Sequence, residues 1–125
     1  MFDHVVFSVS DYAASKEFFL KALKPLGVQV ASEGPLGIEL VRPNNNASLC
    51  LRGTEGAATS PHLHLAFTAE TRLQVHEFHR AALEAGGKDN GAPGLRTQYS
   101  GTSFAAFVIG PDGHNIEVVC YKPEA

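Results

Sequence analysis

The stretch HLHLAFT, His62–Thr68, decides how the chain is read, because FDHVVFSV, Phe2–Val9, stands 60 positions earlier with His4 on His64 and Phe7 on Phe67. The same displacement sets Phe18 on Phe78, Ala22 on Ala82, Leu23 on Leu83 and Gly27 on Gly87. A fixed displacement is the signature of an internal repeat. Each copy opens with a short apolar strand, runs through a helical stretch and reaches a glycine. The first helix is expected from about Asp11 to Leu23, with Asp11 at the N-cap and Phe18, Phe19, Ala22 and Leu23 on one apolar stripe. The second is expected from about Thr71 to Ala85; it opens with TRLQ, the spacing of a capping box with Thr71 at the N-cap and Gln74 at N3.

Beyond the helices the copies align at a displacement of 68, which sets Val41, Arg42 and Pro43 on Ile109, Gly110 and Pro111. RPNN and GPDG then read as matching turns leading into ASLCLRG and HNIEVVCY, the last strands of their copies. The second copy carries the longer loop GGKDNGAPGLRTQYSG, the kind of segment that often carries function. A β-α-β-β-β unit therefore occurs twice: module one over about 1–52, a linker at 53–61, and module two over about 62–123 of a single domain spanning 1–125.

With 125 residues, 44% of them hydrophobic, the chain suffices for one sizeable core. A net charge of -3 with scattered Lys and Arg argues against nucleic acid or an anionic membrane as partner and for a small molecule. No apolar run approaches the ~20 residues of a membrane span, and MFDHVVFSVSD lacks the features of a signal peptide, so the expected location is cytoplasmic. Cys50 and Cys120 form no CxxC and read as free buried thiols without chemistry.

In GPDGHNIEVVC, Gly110–Cys120, the carboxylate of Glu117 interrupts an apolar run. An ionised carboxylate is costly to bury without a compensating partner, although on a strand with one wet face it is ordinary. If the modules pack as a pseudo-symmetric pair, His4 and His64 meet on a shared surface with Glu117. Two imidazoles and one carboxylate are a donor set for a divalent metal with positions left for water or substrate.

These residues resemble the vicinal oxygen chelate superfamily, the glyoxalase, bleomycin-resistance and extradiol-dioxygenase group. The resemblance rests on DHVVFSVSDYAASKEFF, HLHLAF, NGAPGLRTQY and AAFVIGPDGHNIEVVC, the last with its PDG turn followed by an isoleucine-glutamate pair. It implies an α+β fold in which paired β-α-β-β-β modules form one cupped mixed sheet with helices on the outside. It also implies iron, manganese, zinc or nickel held by His4, His64 and Glu117. The displacement of 68 sets Leu49 opposite Glu117, where glyoxalase I-like members carry a further carboxylate. Two histidines and one carboxylate instead look like the iron(II) set of extradiol dioxygenases, which are usually longer chains. Lyase and dioxygenase chemistry both stay open, as does a metal-free binder of the antibiotic-sequestering kind or a subunit-type accessory module.

His62, two residues before His64, is expected on the same strand face as a proton shuttle, and Tyr99 as a further acid or base. Arg96 and Arg52 are candidate contacts for a substrate anion. His76 and His79, in HEFH, lack the HExxH spacing and are expected in solvent; His114 is expected exposed and structural. Phe7, Phe67, Phe104 and Phe107 are expected in the core. Edge strands and the two-module design make a homodimer the expected assembly.

Overall fold

The computed structural model describes residues 2–45, 47–54, 62–98 and 100–123. Module one runs β1 (His4–Val9), α1 (Tyr12–Leu23), a short 3-10 turn (Lys24–Leu26), β2 (Gln29–Gly34), β3 (Gly37–Val41) and β4 (Ser48–Gly53). Module two repeats the order with β5 (His64–Thr68), α2 (Arg72–Glu84), β6 (Lys88–Leu95), β7 (Phe104–Ile109), a 3-10 turn (Pro111–Gly113) and β8 (Asn115–Cys120). The paired β-α-β-β-β modules of the expectation are present, their strands divided between two four-stranded mixed sheets ordered β1-β4-β3-β2 and β5-β8-β7-β6. In each, the first strand pairs in parallel with the last and the others are antiparallel. Most of the expected linker lies outside the described residues.

Both helices begin where their caps put them. The Asp11 carboxylate accepts from the Ala14 N–H at 3.0 Å, and the Thr71 hydroxyl accepts from the Gln74 N–H at 3.1 Å. The Gln74 side chain reaches back to the Glu70 N–H at 2.7 Å, one residue before the N-cap that a capping box would engage. No helix among the described residues is long and apolar enough to cross a membrane.

Alternation along the strands divides each sheet into a helix-facing and an open side. Phe7, Val9, Ile38, Leu40, Leu49 and Leu51 from module one enter the core with Val108, Ile116, Val118 and Cys120 from module two, and the buried faces of α1 and α2 join them. One core thus serves both modules. Burying a Phe side chain contributes about 1.5–3 kcal/mol, and Phe18, Phe19 and Phe78 are all essentially sealed from water. Phe18 is the residue that reaches across. Its ring lies where a Cβ on Gly110 would be 2.9 Å away, and it also crowds Gly87, so module two admits the α1 aromatic only because these positions lack side chains. Close by, the Ser10 N–H donates to the Asp112 carboxylate at 3.0 Å, and the Arg42 guanidinium donates to the Thr68 carbonyl at 2.6 Å, tying the modules together at two further points.

His114 is fully buried rather than exposed, and His79 is largely covered, its Nε2 2.9 Å from the Asp89 carboxylate across the α2–β6 join. His114 is drawn in by contacts with elements distant in sequence, and His79 by the strand that follows its own helix.

Gly110→Ala is expected to destabilise the fold by about 1–3 kcal/mol through overpacking against Phe18, read as a lower urea midpoint. A Gly34→Ala control, where an added Cβ meets nothing within 4 Å, should leave the midpoint much less changed.

Candidate functional site

The parallel ladder of module two pairs His64 with Asn115 and Ala66 with Glu117, so His64 and Glu117 are diagonal neighbours pointing to the same open face. Their side chains meet, His64 Nε2 standing 2.8 Å from Glu117 Oε1. Here is the partner that a carboxylate within an apolar run requires. The glutamate side chain keeps 13% of its exposure and the histidine 55%, so the carboxylate is held and the imidazole closes over it from the solvent side. Metal–donor bonds of about 2.0–2.2 Å set two ligands of one ion roughly 3 Å apart, so the pair needs only a slight opening to share a cation.

Phe107, cross-strand from Glu117, extends this face. Its ring is 6.0 Å from that of His64, and the Arg96 guanidinium lies 5.4 Å from its centroid. Arg96 donates to the Gly94 carbonyl at 2.9 Å and to the Ala92 carbonyl at 2.8 Å, which fixes the cation over the aromatic ring. The structure therefore brings His64, Glu117 and Arg96 onto one side of one sheet. Phe107, expected in the core, belongs to this open face; the signal for it was its antiparallel pairing with Glu117, invisible until the register is known.

His4 occupies the matching position in module one, on the open face of the other sheet. Its Nδ1 is 2.6 Å from the Asp3 carboxylate, and it lines a shallow groove of about 500 Å³ with Glu39, Cys50 and Arg52. Arg52 thus lies with His4, apart from Arg96. Among the described residues no three His, Cys, Asp or Glu side chains converge on one point, so His4 does not join His64 and Glu117 within a chain. Tyr99 lies outside the described residues.

The register also replaces the residue expected opposite Glu117. His4 pairs with Ser48 and Val6 with Cys50, as His64 pairs with Asn115 and Ala66 with Glu117. Cys50, not Leu49, is therefore the module-one counterpart of Glu117, and Leu49 is buried in the core. The cause is one extra residue: four positions separate Pro43 from Ser48, whereas three separate Pro111 from Asn115. A slip of one residue exchanges the two faces of a strand.

A family model described as the Glyoxalase/Bleomycin resistance protein/Dioxygenase superfamily matches residues 1–118. The chain belongs to this superfamily. No curated protein matches it. Its fold is shared with a glyoxalase/bleomycin resistance protein from Albidiferax ferrireducens at 25% identity and a TM-score of 0.82, covering 98% of this chain and 99% of that one. A putative glyoxalase from Bacillus halodurans is similar at 22% identity and a TM-score of 0.74, covering 96% and 95%. A superfamily member from Burkholderia phytofirmans matches at 18% identity and a TM-score of 0.75, covering 96% and 98%.

Against this superfamily background, His62 stands just before β5 and next to the junction of the modules. Its ring is 6.3 Å from that of His114 and would obstruct any Cβ placed on Gly113. His114 Nδ1 accepts from the Leu63 N–H at 3.0 Å, which assigns the proton to Nε2. That Nε2 is buried without a hydrogen-bond partner among the described residues, and the Phe7 ring lies 5.1 Å away. Burial pushes the His114 pKa below its ordinary value; Asp112 opposes the shift and His62 adds to it.

A histidine held neutral in the fold binds fewer protons than it does in the unfolded chain. Its contribution is complete above the unfolded pKa of 6.5 and is lost as the pH falls below that value. The urea midpoint is therefore expected to drop between pH 7.5 and 5.5, with a shallower drop in His114→Asn, as measured by denaturation at a series of pH values.

Proposed function

We propose that the protein is a metal-dependent enzyme acting on a small oxygen-bearing molecule, and that its metal centre is assembled between two copies of the chain. Each centre would take His64 and Glu117 from one copy and His4 from the other. The observation that carries this reading is the His64–Glu117 pair, preassembled at 2.8 Å on an open sheet face. A catalytic site with three protein ligands is incomplete with two, and His4 sits on the other sheet of its own chain with its side chain 57% exposed. A second copy supplies the missing donor without rearranging either core. Exposed apolar residues lining the His4 groove, Val6 at 45% and Leu36 at 40%, favour covering that face with protein.

The donor set fits a divalent ion: imidazoles and a carboxylate suit iron, manganese, zinc or nickel. Bound there, such an ion acts as a Lewis acid on substrate oxygens. Arg96, anchored over Phe107 beside the pair, positions an anionic substrate group through its remaining donors. A cation held there would take the place of the present contact between His64 Nε2 and Glu117 Oε1. Tyr99 and His62 stay as proton-transfer candidates, with His62 the weaker because its neighbours are Gly113 and His114.

One observation favours a second reading, a metal-free binding protein. A groove of about 470 Å³ between the modules is lined by Val5, Leu40, Leu49, Leu65 and Phe67 as well as by His64, a mainly apolar surface able to hold a small ligand without chemistry.

Elemental analysis of protein purified without chelator separates the two. The expected result is stoichiometric metal in the wild type that is lost in His64→Ala, in Glu117→Ala and in His4→Ala. Metal-free wild type whose melting temperature does not move on adding Fe(II), Mn(II), Zn(II) or Ni(II) would overturn the enzyme reading in favour of the binder.

A further inference from the structure

The Arg96 guanidinium is held by neutral groups. It donates to the Gly94 and Ala92 carbonyls and lies over the Phe107 ring, and among the described residues no carboxylate pairs with it, whereas Lys16, Lys21 and Lys122 each face a glutamate. Carbonyls satisfy N–H donors without cancelling the charge, so a half-buried guanidinium fixed in this way favours an anion, with the rest of its five donors unspent. We propose that the substrate is a two-ended acid: two oxygens at one end for the metal, an apolar spacer along Phe107, and a separate anionic group at the other end on Arg96. The proposal rests on the metal-dependent reading above and adds to it the class of molecule that the site takes.

The sheet is shaped to hold the cation in place. A Cβ on Gly91 would stand 2.9 Å from the Phe107 ring and 3.2 Å from Arg96 Nη2, and one on Gly94 would stand 3.2 Å from Arg96 Nη1. Gly91 pairs with Phe107 and Gly94 with Ala105, where the ladder between β6 and β7 twice shifts register. Bare backbone at these two positions lets the guanidinium fold back over its own strand and settle on the ring. The Arg96 N–H is tied as well, donating to the Ser103 carbonyl at 2.7 Å.

Strand order separates this cation from the metal pair. In the order β5-β8-β7-β6, His64 is on one edge strand, Glu117 and Phe107 are on the two central strands, and the carbonyls that hold Arg96 are on the other edge strand. Neighbouring strands lie about 4.8 Å apart, so the two edges stand roughly 14 Å from each other. His64 leans inward to Glu117 and Arg96 inward to Phe107, which leaves the phenyl ring between the metal pair and the cation. A small 2-oxo acid, whose carboxylate is itself one of the two metal-binding oxygens, falls short of Arg96. An acid with an apolar spacer reaches it, and the spacer gains contact with Phe107.

The test is calorimetric titration of the full-length protein loaded with Zn(II), using two probes that share a metal-binding pair of oxygens and a ring. Benzohydroxamic acid lacks the second anionic end and 4-carboxybenzohydroxamic acid has it. The wild type should bind the carboxylated probe at least about tenfold more tightly, the scale of a charge-assisted contact. Arg96→Ala should bring the ratio close to one while leaving the affinity for benzohydroxamic acid unchanged. Gly94→Ala, which keeps the charge and crowds the guanidinium, should lower the ratio in part. Equal affinity for the two probes in the wild type, or a ratio that Arg96→Ala does not move, would overturn the two-ended acid and leave the metal reading standing. If the wild type takes up no zinc, the metal reading fails and the two-ended acid fails with it. Saturation-transfer NMR of chelator-treated protein with 4-carbamoylbenzoate, which has the anionic end alone, then reads the Arg96 seat by itself: signal in the wild type that Arg96→Ala removes would support the anion seat, and no difference between them would overturn it.

Discussion

The parallel pairing of the first strand of each module with its last is the constraint on which the site depends. In a parallel ladder the residues of two neighbouring strands advance together, so a histidine near the start of one strand and a donor two steps along the other share a face. In module two this sets His64 against Glu117, and in module one it sets His4 beside Cys50. The opposite faces of the same strands carry Phe7, Leu49, Leu51, Ile116 and Val118 into the core. Each strand therefore fixes the core and the candidate site with alternate residues, and a change of register would destroy both at once.

The core in turn determines how the modules meet. Phe18 on α1 occupies the space left by Gly87 and Gly110, and His114 sits sealed between Phe7 and the start of β5. These contacts join the modules on their helix-bearing sides. The polar faces of the two sheets are left with histidines that do not meet in one chain, and under the proposed function their convergence would come from an assembly of copies. Such an interface would be self-complementary, because each copy offers one face of each kind and a twofold pair would satisfy both.

Much of this was legible in the residues. The displacement of 60 between the copies identified both first strands and both helices, and the N-caps Asp11 and Thr71 put the helix starts within a residue, because caps are local chemistry. Glu117 stood out as a carboxylate among apolar neighbours, which left a wet strand face or a compensating partner as its two readings. What was not legible depends on parity and on distance in the chain. The turns align at Asn44 and Asp112, both with positive φ, but one extra residue after the first turn moves the counterpart of Glu117 from Leu49 to Cys50. Phe107 and His114 exchanged their expected environments for the same kind of reason: cross-strand pairing put the phenylalanine beside Glu117, and contacts from β1 and the start of β5 buried the histidine. Phe and His carry no local signal that distinguishes these settings.

The claim that one centre draws on two copies is tested most directly by subunit mixing. His4→Ala and the double variant His64→Ala/Glu117→Ala are prepared as separate proteins, each expected to bind no Zn(II) by calorimetry, then unfolded together, refolded and titrated again. The account predicts that mixing restores binding, because a mixed pair contains one centre with His4 from the double variant and His64 and Glu117 from the other chain. Refolded mixtures that bind no more zinc than either parent, although wild-type protein taken through the same cycle binds it, would contradict a site shared between copies.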